Sequence, residues 1–201
     1  MNRRLVSCLV STLCLSAAAS AQTAKPPPPE SPTPAWLPRS AFLGTFIRNG
    51  AIVPEARVQW QILFFQGRSD VLALIIEPTA AAALVRPDTV VEGDNVPLTS
   101  LQFYSLQVGV GYRSRRPSGL EWGFQLGTGP AWYGARFRGG GKDRESYFVG
   151  LLDGRAQLGY RFGSLSLGVA VGYGDPYNYR RTSLARPYVG GPQVGLYADW
   201  R

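Results

Sequence analysis

The chain has 201 residues, with 21 Lys or Arg against 13 Asp or Glu and a hydrophobic content of 45%. It contains no histidine, which removes Ser-His and Cys-His dyads, histidine general bases and nearly all zinc sites. Its two cysteines are Cys8 and Cys14, and a chain processed beyond them carries neither a disulfide nor thiol chemistry.

The start reads Met1-Asn2-Arg3-Arg4, then an apolar stretch from about Leu5 to Ala19, then Ala19-Ser20-Ala21. A basic n-region, an h-region and a small-x-small site make residues 1–21 a cleavable export signal. The apolar core is too short and too rich in Ser and Ala for an anchor. Leu5-Val6-Ser7-Cys8 has only the outline of a lipoprotein box, since no h-region precedes it. Loss of Arg3 and Arg4 leaves 19 basic against 13 acidic residues, a net charge of +6. The basic residues are spread out, so anionic lipid headgroups are a more natural partner than nucleic acid.

Residues 22–40 hold Pro26-Pro27-Pro28-Pro29, Pro32, Pro34 and Pro38. Proline lacks the ladder donor and favours polyproline II, so this stretch reads as a disordered leader outside the folded domain. A periplasmic spacer or docking role for it stays open.

From Ala41 the chain is written in twos. Successive side chains on a strand point to opposite faces, so alternation of large apolar with small or polar residues reads as strand. Eight candidates follow, at about 41–48, 57–65, 70–77, 99–112, 119–138, 145–162, 164–174 and 188–201. In the second, Val58, Trp60, Ile62 and Phe64 oppose Arg57, Gln59 and Gln61. The third is apolar on both faces from Val71 to Ile76. In the fourth, Tyr104, Leu106, Val108, Val110 and Tyr112 oppose Ser105, Gln107, Gly109 and Gly111. The fifth contains Gly129-Pro130, where a bend or bulge is expected and the outward phase can switch to Ala131, Tyr133, Ala135 and Phe137. Connectors alternate in length. The links at 65–69, 113–118 and 162–164 are short, and those at 49–56, 78–97, 139–144 and 175–187 form the longer set. The alanine-rich run 79–84 leaves a short helix open within the longest of them.

One face of these strands carries Arg57, Gln59, Gln61, Glu121, Gln125, Asp153, Arg155, Arg161, Asp199 and Arg201. Inside a closed sheet they form a polar lumen network, since buried charge must be paired. Glu121 with Arg155 or Arg161, and Asp199 with Arg201, are plausible pairs. Tyr112, Trp122, Tyr160, Phe162 and Trp200 fall near one set of strand ends, and Trp132, Tyr133 and Tyr173 near the other. These are the places of two aromatic girdles at the headgroup level. Lys142, Arg144, Tyr177, Tyr179, Arg180, Arg181 and Arg186 lie on the long-loop side, as solvated loops or as a grip for lipopolysaccharide phosphates or a surface partner. Gly139-Gly140-Gly141-Lys142 lacks the frame of a phosphate-binding loop, and no catalytic constellation, cofactor site or metal site stands out.

Strand number, loop alternation, the pairs Gly111-Tyr112, Gly159-Tyr160 and Gly172-Tyr173, and an aromatic-bearing last strand carry a resemblance. From Ala41 to Arg201 the chain resembles the small eight-stranded outer-membrane β-barrels of Gram-negative bacteria, of the OmpA transmembrane-domain and OmpX kind. The resemblance implies an all-β, antiparallel up-and-down transmembrane barrel over residues 41–201, monomeric, with both termini in the periplasm. It also implies contact with outer-membrane lipid and lipopolysaccharide. Members usually end on an aromatic residue read by the barrel-insertion machinery; here Trp200 precedes Arg201. A structural, adhesive or surface-binding role follows, without enzyme activity. Two alternatives remain: a narrow channel for small solutes, and a soluble lipocalin-like barrel with its apolar face inward around a ligand.

Overall fold

The computed structural model describes residues 36–84, 98–138, 143–178 and 183–200. All regular structure among them is strand: β1 (Ser40–Arg48), β2 (Ala51–Gln66), β3 (Asp70–Leu84), β4 (Leu98–Arg115), β5 (Leu120–Phe137), β6 (Arg144–Phe162), β7 (Leu165–Tyr177) and β8 (Gly191–Trp200). Each strand pairs antiparallel with the next, and β1 pairs with β8, so the sheet closes into a barrel without a free edge. The signal segment 1–21 and most of the leader lie outside the described residues. The leader's last residues belong to the ladder, because the Arg39 amide donates to Gln59 and its carbonyl accepts from Trp200.

The alternation sorts side chains as a closed sheet demands. Leu43, Ile52, Ile62, Val110, Leu126, Leu158, Val171 and Leu196 face out and are exposed, Leu43 at 67%. Arg57, Glu77, Gln107, Glu121, Asp153 and Arg155 face in and are buried. A soluble protein would bury the first set and expose the second.

Several boundaries depart from the sequence expectation. The link expected at 49–56 is a two-residue turn, with Asn49 at φ 47° and Gly50 at φ 76°. Both central residues lie in the left-handed region that a tight hairpin requires and Asn-Gly favours. β2 therefore starts at Ala51 and carries Pro54, which sits one residue beyond the last β2–β3 pair, Glu55 with Ala81. The alanine run is strand, not helix: Ala80 pairs with Ala56 on one side and Tyr104 on the other. Two ladders outweigh the helix preference of alanine. Near the end of β2 the register slips by one between Leu63 and Phe65, and this bulge turns Leu63, Phe64 and Phe65 all outward.

Pro130 bends nothing in register. The pairs Val108–Thr128 and Ser105–Ala131 are in step on either side of it, with a gap in the β4–β5 ladder where proline has no donor to offer. The phase consequently never switches, and Ala131, Tyr133, Ala135 and Phe137 point inward.

The barrel is lopsided. β5 and β6 stay paired out to Arg136–Arg144, whereas β7 first meets β6 at Gly150. The wall is thus tall at β5–β6 and low at β7–β8, on the end opposite the chain termini. That end is called the loop end below, and the end with the termini the turn end.

Candidate functional site: the barrel interior and its mouth

The interior has three levels. At mid-height, Arg57 of β2 and Arg155 of β6 face three carboxylates. The Arg57 guanidinium lies 2.8 Å from Glu55, 3.1 Å from Glu77 and 3.1 Å from Asp153. Arg155 pairs with the same Glu77 and reaches Asp153 at 3.2 Å. Gln193 of β8 donates to Asp153 and accepts from Arg57 at 2.9 Å. Gln59 donates to Glu77 at 3.1 Å, and its amide meets that of Gln125 at 2.9 Å. Both guanidinium groups also lie over the Phe42 ring, at 5.5 and 5.1 Å from its centroid. Five strands (β2, β3, β5, β6 and β8) are cross-linked through this layer. Desolvated charges are tolerable only when paired; here each charged group of the layer has at least one opposite partner, although Glu55 Oε1 is left without a hydrogen bond.

Below it, toward the turn end, Arg113 of β4 pairs with Asp199 of β8 and lies over Tyr197. Gln61 donates to Asp199 at 3.3 Å. Glu121 is fully buried, with Arg115 at 3.7 Å and the half-buried Arg161 at 3.9 Å. The void between Gln61, Ile75, Arg113 and Gln157 has room for about one water molecule. An eight-stranded barrel is about wide enough for its own side chains, and here they fill it.

Toward the loop end the interior becomes apolar, which the sequence reading did not anticipate. Phe46, Val53, Leu101, Phe103, Tyr133, Phe137 and Val149 form one buried cluster. It is completed from above by the connection between β7 and β8: Ala185, Tyr188 and Val189 are buried in it. This segment is fastened at both sides of the mouth. The Glu145 carboxylate, buried on the tall wall, accepts from the Leu184 amide at 2.9 Å, the Tyr133 hydroxyl at 2.7 Å and the Ser183 hydroxyl. Across the mouth, Arg48 donates to the Val189 carbonyl and Asn49 to the Pro187 carbonyl, each at 2.7 Å.

Of the residues expected in the lumen, Arg57, Gln59, Glu121, Gln125, Asp153, Arg155 and Asp199 are buried there, while Gln61 and Arg161 are half-buried. Arg201 lies outside the described residues. Of the pairings expected, Glu121 with Arg161 is present at 3.9 Å, while Arg155 goes to Glu77 instead of Glu121. Asp199 meets Arg113, and its expected partner Arg201 lies outside the described residues. The stagger of the strands decides which inward residues share a level, and sequence spacing does not show it. Glu55, Glu77, Arg113 and Gln193 were missed. Inward parity continued past the assumed strand ends is the signal that finds Glu55 and Arg113, and parity from Val71, Ala73 and Ile75 within the third strand finds Glu77.

On the outside, Tyr112 packs against Trp122 and Phe124 with centroids 5.5 and 5.4 Å apart, and Tyr160 against Phe162 at 5.0 Å. Trp200 shares their outward phase at the turn end. At the other end Trp132 stacks on Tyr104 at 5.6 Å, and Tyr173 and Tyr177 are exposed. Tyr133 belongs to neither girdle, because it faces the lumen and is fully buried. Arg144 and Arg186 are exposed at the loop end, while Lys142, Tyr179, Arg180 and Arg181 lie outside the described residues.

The chain matches no protein-family model, and no curated protein matches it by sequence. Solved structures do share its fold. The crystal structure of Neisserial surface protein A superimposes with a TM-score of 0.52 at 11% identity, over 81% of this chain and 94% of that one. Ail, the attachment invasion locus protein of Yersinia pestis, solved with the heparin analogue sucrose octasulfate, aligns with a TM-score of 0.46 at 11% identity, over 82% and 99% of the two chains. The likeness to the Neisserial protein is one of fold, and that fold is the one of the small eight-stranded outer-membrane β-barrels.

Proposed function

We propose that this chain is a non-enzymatic outer-membrane barrel with a structural, adhesive or surface-binding role, exercised through its loop end. The single observation that carries the reading is the inversion of sides: among the described residues, Leu, Val and Ile are exposed on the outward face of every strand but β3, whose outward Leu72, Leu74 and Ile76 are half-buried, and ion-paired Arg, Glu and Asp lie within. In lipid only a closed barrel satisfies every backbone group while presenting such a surface. In this reading residues 1–21 are removed on export, the proline-rich leader and both termini lie in the periplasm, and the longer connections face outward. The aromatic rungs sit at the two headgroup levels, Trp200 belongs to the strand offered to the insertion machinery, and the barrel works as a monomer. Arg144, Arg186 and the basic residues of the neighbouring connections face the lipopolysaccharide layer.

The filled interior weighs against a solute channel, and the exposed apolar belt weighs against a soluble ligand carrier. Expression of the full chain followed by cell fractionation tests the reading. The expected result is an outer-membrane protein whose gel migration changes on boiling in detergent. A soluble periplasmic product with no heat shift would overturn it. In planar bilayers the purified barrel is expected to give no steady conductance; discrete openings would favour the channel.

A further inference from the structure

The tall wall carries a feature that pairing makes visible. Arg136 of β5 and Arg144 of β6 are direct cross-strand partners, both on the outward face and both exposed. Opposed side chains on adjacent antiparallel strands have Cβ atoms roughly 5 Å apart, so two guanidinium groups are held side by side. Like charges so placed repel, and an isolated sheet gains nothing from them. Arg138, also exposed, follows on the same face of the chain. Among the described residues none of the three has an ion-pair partner. Inside the barrel, by contrast, Arg57 and Arg155 share Glu77, and Arg115 and Arg161 share Glu121.

Their height matters as much as their charge. Trp132 lies four residues before Arg136 on the same face, stacked on Tyr104, and its cross-strand partner Phe148 is 79% exposed. These rings mark the upper border of the apolar belt. Four residues of strand rise about 13 Å, or about 10 Å along the axis of a tilted barrel. Arginine stems reach back toward the belt and leave the guanidinium at headgroup depth.

We propose that Arg136 and Arg144, with Arg138 beside them, form a phosphate site for a lipid of the surrounding leaflet. One phosphate accepts from both guanidinium groups, and its acyl chains lie down the Trp132 and Phe148 rungs. Planar five-donor forks suit a phosphate better than lysine would, and the anion turns a repulsive pair into a bridged one. The inference rests on the reading of the chain as a membrane barrel.

Binding of defined lipids to the detergent-purified full chain, followed by native mass spectrometry, tests it. The probes are bis-phosphorylated lipid A, lipid A with its phosphates removed, and phosphatidylglycerol. Wild type is expected to retain the phosphorylated lipids, and R136A/R144A to bind them about tenfold or more weakly. The turn-end control R68A/R116A is expected to bind as wild type. Loss confined to lipid A assigns a phosphorylated glycolipid of the outer leaflet; equal loss with phosphatidylglycerol assigns a general lipid phosphate. Unchanged binding in R136A/R144A, equal retention of the dephosphorylated lipid, or the same loss in the control overturns the site. Heat modifiability is recorded for each protein. Its absence in wild type would fail the barrel reading itself, whereas a retained shift with unchanged lipid binding fails the site alone.

Discussion

Glu77 receives both interior arginines and a glutamine on one carboxylate. Replacing it by alanine removes the carboxylate that Arg57 and Arg155 share and leaves them Asp153 and Glu55, and removal of one partner from a buried pair costs roughly 3–5 kcal/mol. Glu77→Ala is therefore expected to lower the urea midpoint of the detergent-folded barrel sharply, and Glu77→Gln to lower it less. An unchanged midpoint for Glu77→Ala would mean that the network contributes nothing to stability. Tyr133→Phe removes a single neutral donor from Glu145 and is expected to cost about 1 kcal/mol in the same assay. Much of this interior is legible from alternation alone: parity puts Arg57, Gln59, Glu121, Asp153 and Arg155 on one face. Glu77 escaped because it closes an apolar run and looked like a boundary. Arg113 escaped because Tyr112 looked like the last residue of its strand. Which cation meets which carboxylate depends on shear between strands far apart in sequence, and no local pattern encodes that.

At the scale of the element, long continuous strands were easier to read than their ends. Pro130 and the alanine run each suggested an interruption, yet the strands run through them: Pro130 is held by Gly150 of β6, and Ala80 by Ala56 of β2 and Tyr104 of β4. Asn49-Gly50 carries the opposite signal, a tight hairpin, which the longer link expected at 49–56 passed over. The β4–β5 pair is built on close approach. A Cβ on Gly109 would lie 2.1 Å from the Leu126 carbonyl oxygen and 2.6 Å from the Gly127 Cα, both backbone atoms that cannot swing away. Gly109→Val is expected to prevent folding, seen as loss of the heat-resistant band, whereas Gly154→Ala, with only Leu126 Cδ1 and the Gln125 carbonyl oxygen beyond 3.5 Å, is expected to fold. Equal folding of the two would remove close packing of β4 on β5 as a constraint. On the outer face, Leu126 sits in mid-belt and is exposed. Leu126→Arg is expected to cost about 2–4 kcal/mol in a bilayer, because a charge there meets hydrocarbon. The same change in a water-soluble barrel would be nearly neutral, so the unfolding midpoint in lipid vesicles separates the two cases.

Taken whole, the barrel is a solid rod with different fillings at different heights: ionic at the turn end and middle, apolar at the loop end, and capped by its own chain. The cap hangs on Glu145. In Glu145→Ala the Leu184 amide and the hydroxyls of Tyr133 and Ser183 lose their acceptor. The segment is then expected to spend more time away from the mouth, and chymotrypsin to cut after Tyr188, which is buried in the closed cap, several times faster than in wild type. A cleavage rate equal to wild type would show that the apolar contacts alone hold it. Ordinarily a connection between strands can change length and composition at little cost. Residues 183–190 lack that freedom: a small side chain is required at Ala185, a ring at Tyr188 and a branched chain at Val189, as strictly as on any inward strand position. Variation in length and composition at this end therefore has to be absorbed by the other connections, and a tag inserted here would act as a core mutation rather than a surface label.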